Sequence, residues 1–90
     1  MEFIWDPKKA AANLKKHRVS FEEASSALKD SLSLTGSDPD HSIDEYRWLT
    51  FGISDQGRLL VVAHTEEGDI IRIISARTAT NIERELYEKG

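Results

Sequence analysis

The stretch YRWLTFGISDQGRLLVVAHTEEGDIIRIISA, residues 46–76, decides the fold. It holds three runs rich in β-branched and aromatic residues, 46–53, 59–66 and 69–76. Such residues suit the pleated, half-buried surface of a sheet. Asp55-Gln56-Gly57 and Glu67-Gly68 separate the runs, and both are turn chemistry, because glycine accepts the positive φ of tight hairpins. Three consecutive strands joined by two short turns predict an antiparallel meander. Strict alternation then sorts the side chains. Arg47 shares a face with Leu49, Phe51 and Ile53, and Arg77 with Ile71, Ile73 and Ser75, while Arg72 falls on the opposite side with Ile70, Ile74 and Ala76.

Outward from this core the period changes. Residues 2–5 make a short strand candidate, and Leu32 and Leu34 alternate with serines as in a half-buried strand. Asp6-Pro7 is a helix start, an N-cap side chain followed by a residue whose φ is already helical. That helix is predicted over Pro7–His17, with a narrow apolar stripe of Ala10 and Leu14. Ser20 and Glu23 have capping-box spacing and open a second helix with Ala24, Ala27 and Leu28 inward. Residues 36–45, GSDPDHSIDE, read as an acidic surface loop. Thr78 or Thr80 caps a last helix, whose inner face is expected at Ala79, Ile82 and Leu86. The expectation is an α+β domain, helices packed on one side of a twisted antiparallel sheet of about four strands, with a C-terminal helix.

Ninety residues suit one domain, 1–90, with a modest core. The hydrophobic fraction of 39% argues against intrinsic disorder. With no cysteine, disulfides and thiolate zinc sites are excluded. The opening MEFIWDPKK lacks the charged start and apolar run of a signal peptide, and no stretch approaches the ~20 apolar residues of a membrane span. A soluble, cytoplasmic protein is the expectation. Net charge is −4, which disfavours a free-standing nucleic-acid binder. The charge is nevertheless polarised: five basic against two acidic residues over 1–18 give +3, and one against seven over 19–46 give −6. Such poles suit a protein meeting an anion on one face and a basic partner on another.

Two constellations carry candidate chemistry. Lys9, Asn13, Lys16 and His17 recur at i, i+4, i+7 and i+8, one stripe of the first helix. Two ammonium groups, an amide and an imidazole suffice to hold a phosphate and move a proton. The alternative for His17 is a capping or packing role. Arg47 and Arg77 each end an apolar sheet face, where a charge needs a partner. That partner is either a phosphate, which the guanidinium fork fits, or a helix carboxylate in a salt bridge. His17, His41 and His64 lack ligand-like spacing, and His41 beside Asp38, Asp40 and Asp44 is a weak metal candidate, so no metal is assigned. Ser75 has no triad context, there is no glycine-rich phosphate loop, and no cofactor is expected.

The combination resembles the BrnT family of type II toxin–antitoxin systems, which is similar in fold to RelE-type ribonucleases. The resemblance spans nearly the whole chain. It begins with F-x-W-D-P-x-K-A-x-x-N-x-x-K-H-x-V-x-F-x-E-A, carried by Phe3, Trp5, Asp6, Lys9, Asn13, Lys16, His17, Val19, Phe21, Glu23 and Ala24. It continues through Arg47 to Gly52 and closes on Ile71 to Ala76 with Arg77, Ala79, Glu83, Arg84 and Tyr87. The family usually has glycine after the Lys-His pair, where this chain has Arg18; glycine suits a left-handed helix C-cap.

The resemblance implies a ribonuclease that inhibits translation. Its implied partner is a BrnA-like ribbon-helix-helix antitoxin that neutralises it and carries most of the DNA contact. On that basis metal-independent transesterification of RNA is the expected reaction. Its catalytic set is expected to be His17, Lys9, Lys16, Arg47 and Arg77, with Asn13 and Arg72 as RNA-binding groups. The competing reading is a non-catalytic module that uses the same basic face to grip a partner protein or the ribosome, with Arg72 and Arg77 in fold-stabilising ion pairs.

Overall fold

A computed structural model describes residues 1–38 and 46–89. Among them the elements run β1 (Glu2–Ile4), α1 (Pro7–His17), α2 (Phe21–Leu28), β2 (Leu34–Ser37), β3 (Trp48–Ile53), β4 (Leu59–Glu67), β5 (Ile70–Thr78) and α3 (Asn81–Lys89). The strands form one sheet of five in the order β1-β5-β4-β3-β2. The expected meander is β3-β4-β5, antiparallel throughout, and β2 extends it antiparallel to β3. The additional strand is β1, which pairs parallel to β5. Parallel pairing is open to it because the two are joined through the rest of the fold, not through a hairpin.

Local chemistry sets the helix ends. The Asp6 carboxylate accepts from the Lys8 N–H at 2.8 Å, and Pro7 follows at the first helical position. Arg18 closes α1 in the left-handed region at φ 59°, its N–H donating to the Leu14 carbonyl at 2.9 Å, so it takes the conformation a glycine C-cap would take. Ser20 Oγ caps α2 through the Glu23 N–H at 3.0 Å. The other half of that capping box is missing, because the Glu23 side chain turns instead to Arg58 and Ser54.

α1 and α2 cover one face of the sheet. Val19, Phe21, Ala24 and Ala27 pack there on Leu60, Val62, Ile73 and Ala76, with Phe3, Trp5, Ala10 and Leu28 at the margin. The contact is close: a Cβ on Gly52 would overlap the Ala27 carbonyl, so α2 lies directly on the β3 backbone. Trp5 meets Phe21 edge to face, ring centroids 6.0 Å apart.

α3 is rotated from the expected orientation. Ile82 and Leu86 are 73% and 67% exposed, while Glu83 and Tyr87 are half-buried. The cause is polar. Thr80 and Glu83 complete a reciprocal capping box, Glu83 N–H to Thr80 Oγ1 at 3.2 Å and Thr80 N–H to Glu83 Oε1 at 2.9 Å. Glu83 also grips Arg77, and one turn on, the Tyr87 hydroxyl donates to Asp30 Oδ2 at 3.2 Å. These clasps turn positions 83 and 87 inward and leave the apolar pair outward.

A polar line runs inward on the helix-covered face from the exposed Thr35 of β2 to the buried Thr50 and His64. Thr35 Oγ1, Thr50 Oγ1 and His64 Nε2 lie 2.7 Å apart in succession. His64 is 1% exposed, and burial pushes its pKa down from 6.5 to about 4. In the unfolded chain the ring takes a proton below its ordinary pKa, whereas the native ring stays neutral to about 4. Stability is therefore expected to fall as the pH drops through that window, by on the order of 3 kcal/mol. Urea titrations at pH ~7 and pH ~5 check this; a His64→Gln variant with the same slope would assign the effect elsewhere.

Candidate active site

The site is built on the way α1 meets β5. Beyond the end of β1 the edge of β5 is uncovered, and Asn13 takes the place of a strand there. Its Oδ1 accepts from the Ala76 N–H at 3.1 Å and its Nδ2 donates to the Ala76 carbonyl at 2.9 Å. The same Nδ2 donates to the Val19 carbonyl at 2.9 Å, tying down the α1–α2 junction. Asn13 is 7% exposed. Its amide is thus turned inward to the scaffold, not outward to a ligand as expected for an RNA-binding group.

With α1 held in this way, two adjoining depressions form along the seam. One, of about 270 Å³, lies between Trp5, Asp6 and Lys9 on one side and Arg72 and Ile74 on the other. The second, about 230 Å³, is walled by Lys9, Lys16 and His17 against Ile74 and Ser75. Lys9 and Ile74 belong to both, so the two make a continuous cleft. Lys9, Lys16 and Arg72 are exposed and His17 is half-buried. Among the described residues none of the three long cations is in an ion pair. The acid at the rim, Asp6, is occupied in capping α1. Cationic side chains around an open cleft can hold an anion, and a half-buried imidazole at the same cleft can exchange a proton with it.

Arg47 and Arg77 line neither depression. Arg77 is bound to Glu83 in a two-pronged ion pair, Nη1 to Oε1 at 2.7 Å and Nη2 to Oε2 at 2.8 Å. The pair raises the Arg77 pKa and holds the Glu83 carboxyl down at about 2. Arg47 flanks β3, where its carbonyl accepts from the Asp38 N–H at 2.8 Å. The expected faces fail at one place. Ala63 pairs with Ser75 but His64 with Ile73, so Ile74 is a bulge residue without a partner across β4. The extra residue reverses the alternation. Ala76 joins Ile73 on the helix-covered face, and Arg72, Ser75 and Arg77 share the other with Thr65, Ala63 and Val61.

Of the seven sequence-selected residues, the structure brings Lys9, Lys16, His17 and Arg72 to one cleft with Asn13 beneath them. Ile74 and Ser75 also line the cleft, where strict alternation along the strand does not place them together. The two adjacent Ile-Ile pairs of DIIRIIS are the signal, since consecutive apolar residues cannot both face one side of a regular strand. His41, Asp40 and Asp44 lie outside the described residues. Among the described ones no group of three His, Cys, Asp or Glu side chains is placed to hold a metal. Nor is any described helix long and apolar enough to cross a membrane.

Comparison with known proteins bears on the family and the fold. The family model for the ribonuclease toxin BrnT of type II toxin–antitoxin systems matches residues 5–83. Among solved structures, the Brucella abortus ribonuclease toxin BrnT is similar, with 24% sequence identity and a TM-score of 0.65, over 90% of this chain and 99% of that one. At that identity the likeness speaks for the fold. No curated protein matches the chain.

Proposed function

The chain belongs to the BrnT family of ribonuclease toxins of type II toxin–antitoxin systems, and from that premise we propose that it cuts RNA in the cleft between α1 and β5. The observation that supports this is the set of cations, Lys9, Lys16 and Arg72, that have no carboxylate partner among the described residues and surround a cleft that also holds His17. In this reading the ribose 2′-hydroxyl attacks the adjacent phosphorus. The P–O5′ bond breaks, the proton of the 2′-hydroxyl passes to a base, and the leaving 5′-oxygen receives one. The products are a 2′,3′-cyclic phosphate and a free 5′-hydroxyl. His17 serves as the proton-transfer group, and Lys9, Lys16 and Arg72 balance the charge that grows on the phosphoryl oxygens. Asn13 positions the helix that carries them. Arg77 holds α3 to the sheet through Glu83.

The proposal extends to its setting. The protein acts in the cytoplasm and arrests translation, a BrnA-like ribbon-helix-helix antitoxin neutralises it, and operator DNA is contacted mainly through that antitoxin. An acidic chain with a local basic cleft fits such a division of labour. The experiment is incubation of purified, antitoxin-free protein with an RNA oligonucleotide and its fully 2′-deoxy counterpart, in excess chelator. Cleavage of the RNA alone, leaving cyclic phosphate ends, is expected. A cut deoxy strand, or cleavage that stops when metal is sequestered, overturns the mechanism. Intact RNA returns the basic face to the role of a binding surface.

A further inference from the structure

We propose that Arg58, locked by Glu23, is a positioning residue that sets His17 at the mouth of the cleft through the main chain of Arg18. Its importance for cleavage rests on the function proposed above; its action on His17 stands on geometry alone. Glu23 is 4% exposed, and its carboxylate is held by the Arg58 guanidinium and by Ser54 Oγ at 2.7 Å. Arg58 Nε donates to Oε2 at 2.9 Å, and Nη2, which contacts Oε1, also donates to the Arg18 carbonyl at 3.0 Å. The pair holds the Glu23 carboxyl below its usual range and the guanidinium above its own, so both stay charged at neutral pH.

Arg18 is what the clamp holds. Among the described residues it is the non-glycine with positive φ. A side chain disfavours that conformation, which persists only where the surroundings enforce it. Three hydrogen bonds do so, two made with α1 and one with the β3–β4 turn. The Arg18 N–H donates to Leu14 in α1, the Arg18 carbonyl accepts from Arg58 at the β3–β4 turn, and the next carbonyl, of Val19, accepts from Asn13. His17 directly precedes this pinned peptide and lines the cleft. If the left-handed turn relaxed, the last residue of α1 would fray and the imidazole would leave its place. The guanidinium fork is what reaches Glu23 and the Arg18 carbonyl together; an ammonium group has no such fixed span.

The test uses Arg58→Lys, which keeps a positive charge beside Glu23, and Arg58→Lys with Arg18→Gly, since glycine adopts positive φ without a clamp. In the single variant the imidazole resonances of His17 are expected to move, and kcat on RNA to fall about tenfold with KM nearly unchanged. Adding Arg18→Gly is expected to restore both. Unmoved His17 resonances in folded Arg58→Lys overturn the proposal, as does a double variant that remains as slow as the single. Should Arg58→Lys not fold, Glu23→Gln with Arg58→Met removes both charges of the pair, so that no buried carboxylate is left unmatched, and frees the Arg18 carbonyl; the same displacement of His17 is required of it. The resonances are read without RNA. A wild type that cuts no RNA therefore refutes the proposed function, while the His17 signals still decide whether Arg58 positions the ring.

Discussion

Asn13→Asp is expected to leave the chain largely unfolded at neutral pH, although it exchanges one NH2 group for an oxygen. In the native structure Nδ2 donates to two buried carbonyls, those of Val19 and Ala76, each at 2.9 Å. Aspartate presents an oxygen to both. Each carbonyl loses its donor, at roughly 1–3 kcal/mol for a buried acceptor left unpaired. A carboxylate is also buried with no cation hydrogen-bonded to it, and the exposed ammonium groups of Lys9 and Lys16 at the cleft offset only part of its desolvation, which costs several kcal/mol. Domains of this size have total stabilities of about 5–15 kcal/mol, so the sum approaches or exceeds what is available. The check is far-UV circular dichroism with urea titration. A denaturation midpoint equal to the wild type's would show that Asn13 is not the strut that joins α1 to β5.

The second large effect is on rate. His17→Ala is expected to lower RNA cleavage by about 10²–10⁴-fold, the usual contribution of a positioned proton-transfer group. The fold should not change, because the ring is half-buried at the end of α1 and lies outside the core cluster. Single-turnover rates, with thermal melting as control, separate the two quantities. A rate within twofold of wild type would remove His17 from the chemistry and leave the cleft as a binding groove of lysines and Arg72. The contrast with Asn13 is informative, since the two residues are four apart on one helix. One faces the sheet and holds the helix; the other faces the cleft and belongs to the reaction.

What was legible in the sequence was whatever is decided locally. Asp6-Pro7 and Ser20 set the starts of α1 and α2, and the turns at Gly57 and Gly68 separate β3, β4 and β5, because each depends on residues within a few positions. The stripe of Lys9, Lys16 and His17 survived intact because a helix enforces its own period. Three things were not legible. The bulge at Ile74 moved Arg77 to the face of Arg72, and alternation alone does not say on which of two adjacent isoleucines a strand will slip. Glu83 turned α3 about its axis by preferring Arg77 and Thr80 to a solvent-facing position, against the apolar pattern of Ile82 and Leu86. The pairings of Glu23 with Arg58 and of Asn13 with Ala76 span 35 and 63 residues, and no local rule connects positions so far apart. The site was therefore half readable: its helical wall was, and its sheet wall was not.

The sheet tapers. β4 and β5 have nine residues each, whereas the outermost strands β1 and β2 have three and four. A foreign chain adding itself to either rim would find only about two or three main-chain partners, and next to β1 it would meet α1 lying across the neighbouring strand. Runaway polymerisation into cross-β ribbons is starved at its first step, so the isoleucine-, leucine- and valine-rich strands β4 and β5 sit inside a sheet whose rims offer little to seed fibrils.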